Sequence, residues 1–198
     1  MADGNRPDDT TAGKSEDELK EEALMNRARE LCQGTSWKIP NDHELAPDIG
    51  LVVVEKLQKA RWSEDDIGLM AEAFNELLTN AMIHGNLGLR KNPGEPTQKF
   101  LQRIKDAERS IGKSTSVHIT FDLGVDSVTI VVMDEGPGFD VSSSVTSDPS
   151  REPVSMAEMG RGVSFTKMYF DSIVYNGKGN QVTVMKRKLS TKDLLSAE

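Results

Sequence analysis

The 198-residue chain has a single cysteine, Cys32, and no excess of basic residues: 24 Lys plus Arg stand against 32 Asp plus Glu. One cysteine excludes an internal disulfide and any multi-cysteine metal site, and is expected to stay reduced in a helix. The longest apolar runs, Leu51–Val54 and Val128–Met133, fall far short of the roughly 20 residues that span a bilayer. The N-terminus lacks a basic stretch followed by an apolar one, so no secretory signal is expected. A cytoplasmic chain with no membrane partner follows as the expectation. The formal charge of -8 argues against a protein that tracks nucleic-acid phosphates, which would present a basic face.

What is present suffices for one domain with tails: 36% hydrophobic and 28% charged residues can build a core at this length. The acidity is uneven. Residues 1–22 carry eight acidic and three basic side chains, so 3 − 8 = -5 of the charge belongs to that end and -3 to the rest. Residues 1 to about 15 read as a disordered acidic tail. Ser15, with Glu18 three residues on, forms a capping box that opens a helix over 16–34, with Leu19, Ala23, Leu24 and Leu31 as a thin apolar stripe and Gly34 as its stop. A short strand at 37–39 and a helix from Asn41 or Asp42 to about Ala60 follow.

Ser63 then caps a long helix reaching about His84, in which Ile67, Met70, Phe74, Leu77 and Ala81 step along one face. Residues 86–96 read as loop, and 97–110 as a charged helix whose core residues would be Phe100, Leu101 and Ile104. Two hairpins complete the pattern, one turning at Gly124 and one between Gly177 and Gly179. Between them, about 140–159 is a long aperiodic segment, followed by a helix opening at Gly160. Residues 189–198 form a C-terminal tail. The layout is α+β, a mixed and mostly antiparallel sheet with helices on one face.

Residues 107–114, Ala-Glu-Arg-Ser-Ile-Gly-Lys-Ser, fit a permissive P-loop pattern. That motif works only with a strand before the loop and a helix after it. Here a helix precedes and a strand follows, so the pattern is a helix stop with a solvated Lys113.

Three other pieces carry chemistry. On the long helix, Glu72, Glu76, Asn80 and His84 recur every fourth residue and make a polar stripe. Taken alone, such a stripe is the solvated side of an amphipathic helix. An amide oxygen one turn from a carboxylate can nevertheless serve a hard cation such as Mg2+ and orient a nucleophile beside it. His84 is expected to cap its own helix. The second piece is Asp134-Glu-Gly136-Pro-Gly138-Phe139: a carboxylate ends a buried strand and can accept from an exocyclic amine, while the glycines let a ring or backbone approach. In the third, Gly160-Arg161-Gly162 opens a helix, offering free N–H groups to phosphate.

Together, in this order, these segments resemble the nucleotide-binding boxes of the GHKL (Bergerat-fold) ATPase superfamily. Residues 75–85, Asn-Glu-Leu-Leu-Thr-Asn-Ala-Met-Ile-His-Gly, and the closing Gly179-Asn-Gln-Val-Thr183-Val are similar to its anti-sigma-factor serine/threonine kinase branch in particular. The resemblance covers about 36–188 and implies a two-layer α/β sandwich over 35–188, with an insert at about 87–113 and an ATP lid at about 140–159. It implies Glu76 as general base, Asn80 as Mg2+ ligand, Asp134 for the adenine amine, and Gly136 and Gly138 as the space around the base. Gly160, Arg161 and Gly162 would meet the phosphates, and Thr183 would support the adenine end. ATP and Mg2+ are the implied cofactors. The implied partners are a sigma factor or a small antagonist protein phosphorylated on serine, with homodimers among the branch's members.

Two features depart from that pattern. The 87–113 segment is longer than in compact members, and Glu158 stands where some members place a phosphate-contacting Arg. A non-catalytic, nucleotide-gated docking module is the alternative reading. A histidine-kinase ATP-binding half would need a histidine-bearing helical segment upstream, and residues 15–34 contain no His.

Overall fold

The computed structural model describes residues 14–111, 114–141 and 169–188. The tails, most of the expected lid, and Gly160, Arg161 and Gly162 lie outside them. Four helices are present among the described residues, α1 (Glu16–Leu31), α2 (Ala46–Lys59), α3 (Glu64–Asn80) and α4 (Thr97–Ile111). The strands are β1 (Ser36–Pro40), β2 (Ser116–Leu123), β3 (Ser127–Met133), β4 (Ser172–Tyr175) and β5 (Gln181–Arg187). None of the described helices is long and apolar enough to cross a membrane.

The sheet order is β1-β2-β3-β5-β4, and every described pairing is antiparallel. The expected mostly antiparallel sheet is antiparallel throughout among these strands. β5 takes the inner position because its alternating Val182 and Val184 are both buried, whereas the four-residue β4 leaves Val174 58% exposed and suits an edge. Along β2, β3 and β5 the alternate residues Val117, Ile119, Phe121, Val128, Ile130, Val132, Val182 and Val184 join one buried cluster with α2 and α3. That makes two layers, with the helices on a single face of the sheet. Phe74, Leu78 and Met82 are fully buried between the layers, each side chain worth roughly 1.5–3 kcal/mol against exposure.

The helix starts follow the expected caps. Ser15 and Glu18 form a capping box, and the Ser63 hydroxyl accepts from the Asp66 N–H. Asp42 caps a 3-10 turn, His43–Leu45, that leads straight into α2. Two apolar assignments are corrected. Leu19 is 53% exposed, because α1 buries side chains in its C-terminal half and cap, at Ala28 and Cys32. Leu101 is 41% exposed, because α4 buries one side chain, Ile104, with Phe100 half-buried beside it. α4 is held mainly by polar contacts: His43 Nδ1 to Glu108 Oε2 at 2.8 Å and Lys105 to Glu44 at 3.0 Å.

The long helix ends differently from expectation. After Asn80 the α-helical ladder gives way to a π-helical segment, Ala81–Asn86. The Ala81 N–H is shared between the Leu77 and Leu78 carbonyls where the change begins. Such wide turns inside helices are rare and recur at functional sites.

Candidate functional site

Glu76 and Asn80 sit one turn apart on α3, both half-buried. The Asn80 amide Nδ2 donates to Glu76 Oε1 at 3.0 Å. This bond fixes both side chains and leaves the Asn80 Oδ1 as an acceptor, the atom a hard cation would take. Glu72 and His84 are exposed. The His84 Nδ1 is bonded to the Leu89 carbonyl oxygen, so His84 pins the loop that leaves the helix, in keeping with a capping role.

At the other end of the site, β3 stops at Met133 and the chain turns through Asp134, Glu135 and Gly136. The Asp134 backbone N–H donates to the Asn180 carbonyl (2.9 Å), and the Asn180 side-chain amide returns a bond to the Asp134 carbonyl (2.8 Å). Asp134 Oδ1 accepts from the Gly136 N–H at 2.9 Å. Burial pushes the Asp134 carboxyl above its ordinary value, opposed by that Gly136 bond and by the nearby Lys178 charge. Among the described residues no hydrogen bond engages Asp134 Oδ2, which leaves an acceptor for a ligand amine.

The two ends meet at Gly85. A methyl group on Gly85 would run into the Asp134 carboxyl, and one on Gly136 into the Gly85 carbonyl. The two backbones are in contact, and neither position has room for a side chain. Gly138, at φ +79°, faces the Lys178 carbonyl with the same closeness. Phe139 meets Tyr175 edge-on at 5.4 Å, and Lys178 Nζ donates to the Gly136 carbonyl at 2.9 Å. The loop 134–139 is thereby clasped between the π segment and the β4–β5 turn.

A family model of the histidine kinase-like ATPase domain matches residues 39–186, three-quarters of the chain and every element from β1 to β5. The chain belongs to the histidine kinase-like ATPase family. Comparison with individual curated proteins gives no match. The matched span begins within β1, so α1 precedes the histidine kinase-like ATPase domain proper.

Within that domain Glu76 and Asn80 are bonded to each other on α3, Asp134 and Gly136 lie against Gly85 five residues further along the same helical run, and Gly138 lies against Lys178. Gly160, Arg161 and Gly162 lie outside the described residues. Thr183 is not brought to the site. On β5 it pairs with Val131 and Val174 and alternates with the buried Val182 and Val184, so it points to the sheet face away from the helices. The residue beside Asp134 is Asn180, three positions earlier. The sequence signal for it was the Asn176-Gly-Lys-Gly-Asn180 turn. Asn176 Oδ1 accepts from the backbone of Gly179 (2.8 Å), Asn180 (3.1 Å) and Gln181 (3.3 Å), and its amide reaches Asn180 Oδ1 at 3.0 Å. The P-loop-like pattern at 107–114 is rejected on element order, and that order is observed: it begins within α4 and is followed by β2.

The donor set fits a nucleotide carrying its own cation. Among the described residues no group of three or more His, Cys, Asp or Glu side chains is placed to hold a metal by itself. One amide oxygen at Asn80, with Glu76 next to it, suits Mg2+ that keeps phosphate and water as its other ligands.

Proposed function

We propose that this chain is an ATP-dependent serine/threonine protein kinase of the anti-sigma-factor type, phosphorylating a serine of an antagonist protein in a bacterial partner-switching system. The observation that carries this reading is the Asn80–Glu76 bond. It turns one acceptor of the carboxylate toward the amide and leaves the pair pre-oriented one turn apart on a buried helix. In this role Asp134 Oδ2 accepts from the adenine amine, while the close approach of Gly85 and Gly136 holds the carboxylate in place. Asn80 Oδ1 would hold Mg2+. Mg-ATP, when bound, would supply the γ-phosphoryl group, with ADP as the leaving group, and the charge neutralisation its transfer needs. Glu76 accepts the proton of the attacking serine hydroxyl and holds that oxygen in line. The acceptor is a small protein of the cytoplasm, and the same surface would otherwise sequester a sigma factor.

Transfer from γ-labelled Mg-ATP to proteins that co-purify with the chain from its own cell tests this. Wild type is expected to label a serine of one small partner. Glu76→Gln is expected to slow labelling by roughly a hundredfold to ten-thousandfold while ATP binding persists. Wild type that binds ATP and labels no co-purifying protein would overturn the kinase reading.

α4 supports a second reading, a nucleotide-gated docking module. It lies in the long segment after the π turn and exposes Leu101 and Ile111, 41% and 37% accessible. If a partner-binding readout survives Glu76→Gln unchanged, docking and not transfer carries the function.

A further inference from the structure

Asn86 closes the π segment and joins three separate parts of the fold. Its amide Nδ2 donates to Asn41 Oδ1 at 3.0 Å and to the Ser116 carbonyl at 3.1 Å. Its Oδ1 accepts from the Glu135 backbone N–H at 2.7 Å. Asn41 follows β1, Ser116 opens β2, and Glu135 lies between Asp134 and Gly136. Asn41 and Ser116 are buried and Asn86 is half-buried, while Glu135 is exposed. Glu135 is fixed from its side chain as well, with Oε1 on His118 Nε2 at 2.8 Å and Oε2 accepting from the Ser116 N–H at 3.3 Å.

Two consecutive residues of the π segment serve one loop. The Gly85 backbone lies against Asp134 and Gly136, and the next side chain, Asn86, takes the N–H between them.

We propose that Asn86 is a positioning residue that sets the Asp134 carboxylate, at the adenine end, relative to Glu76 and Asn80 at the phosphate end. The inference rests on the nucleotide site proposed above. Asn86 contacts no ligand in this account. It acts through the Glu135 peptide on Asp134, so its loss costs recognition of the base before it costs the fold.

Binding of ATP and of GTP to the full chain tests this, in wild type, Asn86→Ala, Asp134→Asn and the double variant. Wild type prefers ATP, because GTP has no exocyclic amine where adenine carries one. Asn86→Ala weakens ATP by about tenfold, the size of one lost charge-free hydrogen bond plus an unpaired group, with little change for GTP. In the double variant the loss does not exceed that of Asp134→Asn, since both act at the same carboxylate. Asn86→Asp, which keeps the acceptor for Glu135 and loses both donors, retains the ATP preference. If Asn86→Ala does not fold, Asn86→Ser is too short to reach Glu135 and carries the same expectation.

An Asn86→Ala protein with an unchanged ATP-to-GTP ratio would overturn the role of Asn86 while leaving the nucleotide site in place. So would full additivity with Asp134→Asn, or an Asn86→Asp protein as unselective as the alanine variant. Wild type that binds neither nucleotide would overturn the site reading and this inference together.

Discussion

Asp134 is held half out of water with its backbone locked to Asn180 on both sides and one carboxylate oxygen on the Gly136 N–H. Burial raises its carboxyl, so the ionised form is disfavoured in the empty fold relative to the unfolded chain. The sign follows directly. A group raised in the folded state adds stability only when protonated, and that contribution is lost as pH rises through its folded value. At neutral pH Asp134 therefore costs the free protein stability and is retained for a ligand. Asp134→Asn is expected to raise the melting temperature of the nucleotide-free protein while abolishing its preference for ATP. The amide would still accept from Gly136 but would turn N–H donors toward the adenine amine. Thermal melts with and without ATP check both halves.

Cys32 shows the opposite use of burial. It is 2% exposed beneath α1, and desolvation pushes its thiol up to about 12. Near pH 8 about one thiol in ten thousand is ionised. Disulfide reagents are expected to leave the folded protein unmodified and to react on unfolding, which a colorimetric thiol assay reads directly.

At the scale of elements, the connection from α3 into the loop 134–139 depends on two glycines with no room beside them. Gly85→Ala would drive a methyl group into the Asp134 carboxyl, and Gly136→Ala into the Gly85 carbonyl. Either is expected to weaken ATP binding more than tenfold, about 1.4 kcal/mol or more, with the sheet intact by circular dichroism. α4 is governed by charge instead. The His43 ring is raised above its ordinary value by the Glu108 hydrogen bond, against burial. Protonated His43 therefore holds α4 to the 3-10 turn fully below about pH 6.5, and this contribution fades as pH rises through the raised value. The difference in melting temperature between wild type and Glu108→Gln should be large near pH 6 and small near pH 9, with amide exchange in α4 following it.

Elements with strong periodicity or a cap were readable in the sequence: the Ser15 and Ser63 starts, the apolar face of α3, and both hairpins. The one-turn pairing of Glu76 with Asn80 and the turn that follows Asp134 were readable as well, because their spacing is a local property of one helix and one turn. The π segment was not, since Ala81-Met-Ile-His-Gly-Asn reads as ordinary helix until the bond shift at Ala81 is seen. Asn86 and Asn180 were missed for a related reason. Their partners lie on other elements, 30 to 49 residues away for Asn86 and 46 for Asn180 with Asp134, and single asparagines look like turn formers. Thr183 was misplaced because strand alternation and the turn register decide which of two neighbouring polar residues faces inward.

The whole molecule divides into a site-bearing domain and an acidic approach to it. The family match starts at residue 39, and the -5 carried by residues 1–22 lies ahead of it, while the matched span carries 21 acidic and 15 basic side chains, 15 − 21 = -6. α1 meets this domain at α2, β1 and the 3-10 turn, through Ala28 and Cys32 below and ion pairs from Arg27 to Asp42 and Arg29 to Glu55 at the edge. Exposed pairs of that kind contribute little, so the buried contacts hold the helix. Ala28→Glu would place a carboxylate with no partner at a fully buried position, a change that costs several kcal/mol unless the helix lifts away. Lifting is expected: the melting temperature falls, and the Cys32 thiol becomes reactive in the folded protein. The site elements α3, the π segment and the loop 134–139 draw their hydrogen bonds from β1, β2 and the β4–β5 turn, so ATP affinity should hold within about twofold. If affinity falls along with α1 docking, the N-terminal helix is coupled to the nucleotide site, and the molecule is one cooperative unit with its acidic end as part of the switch.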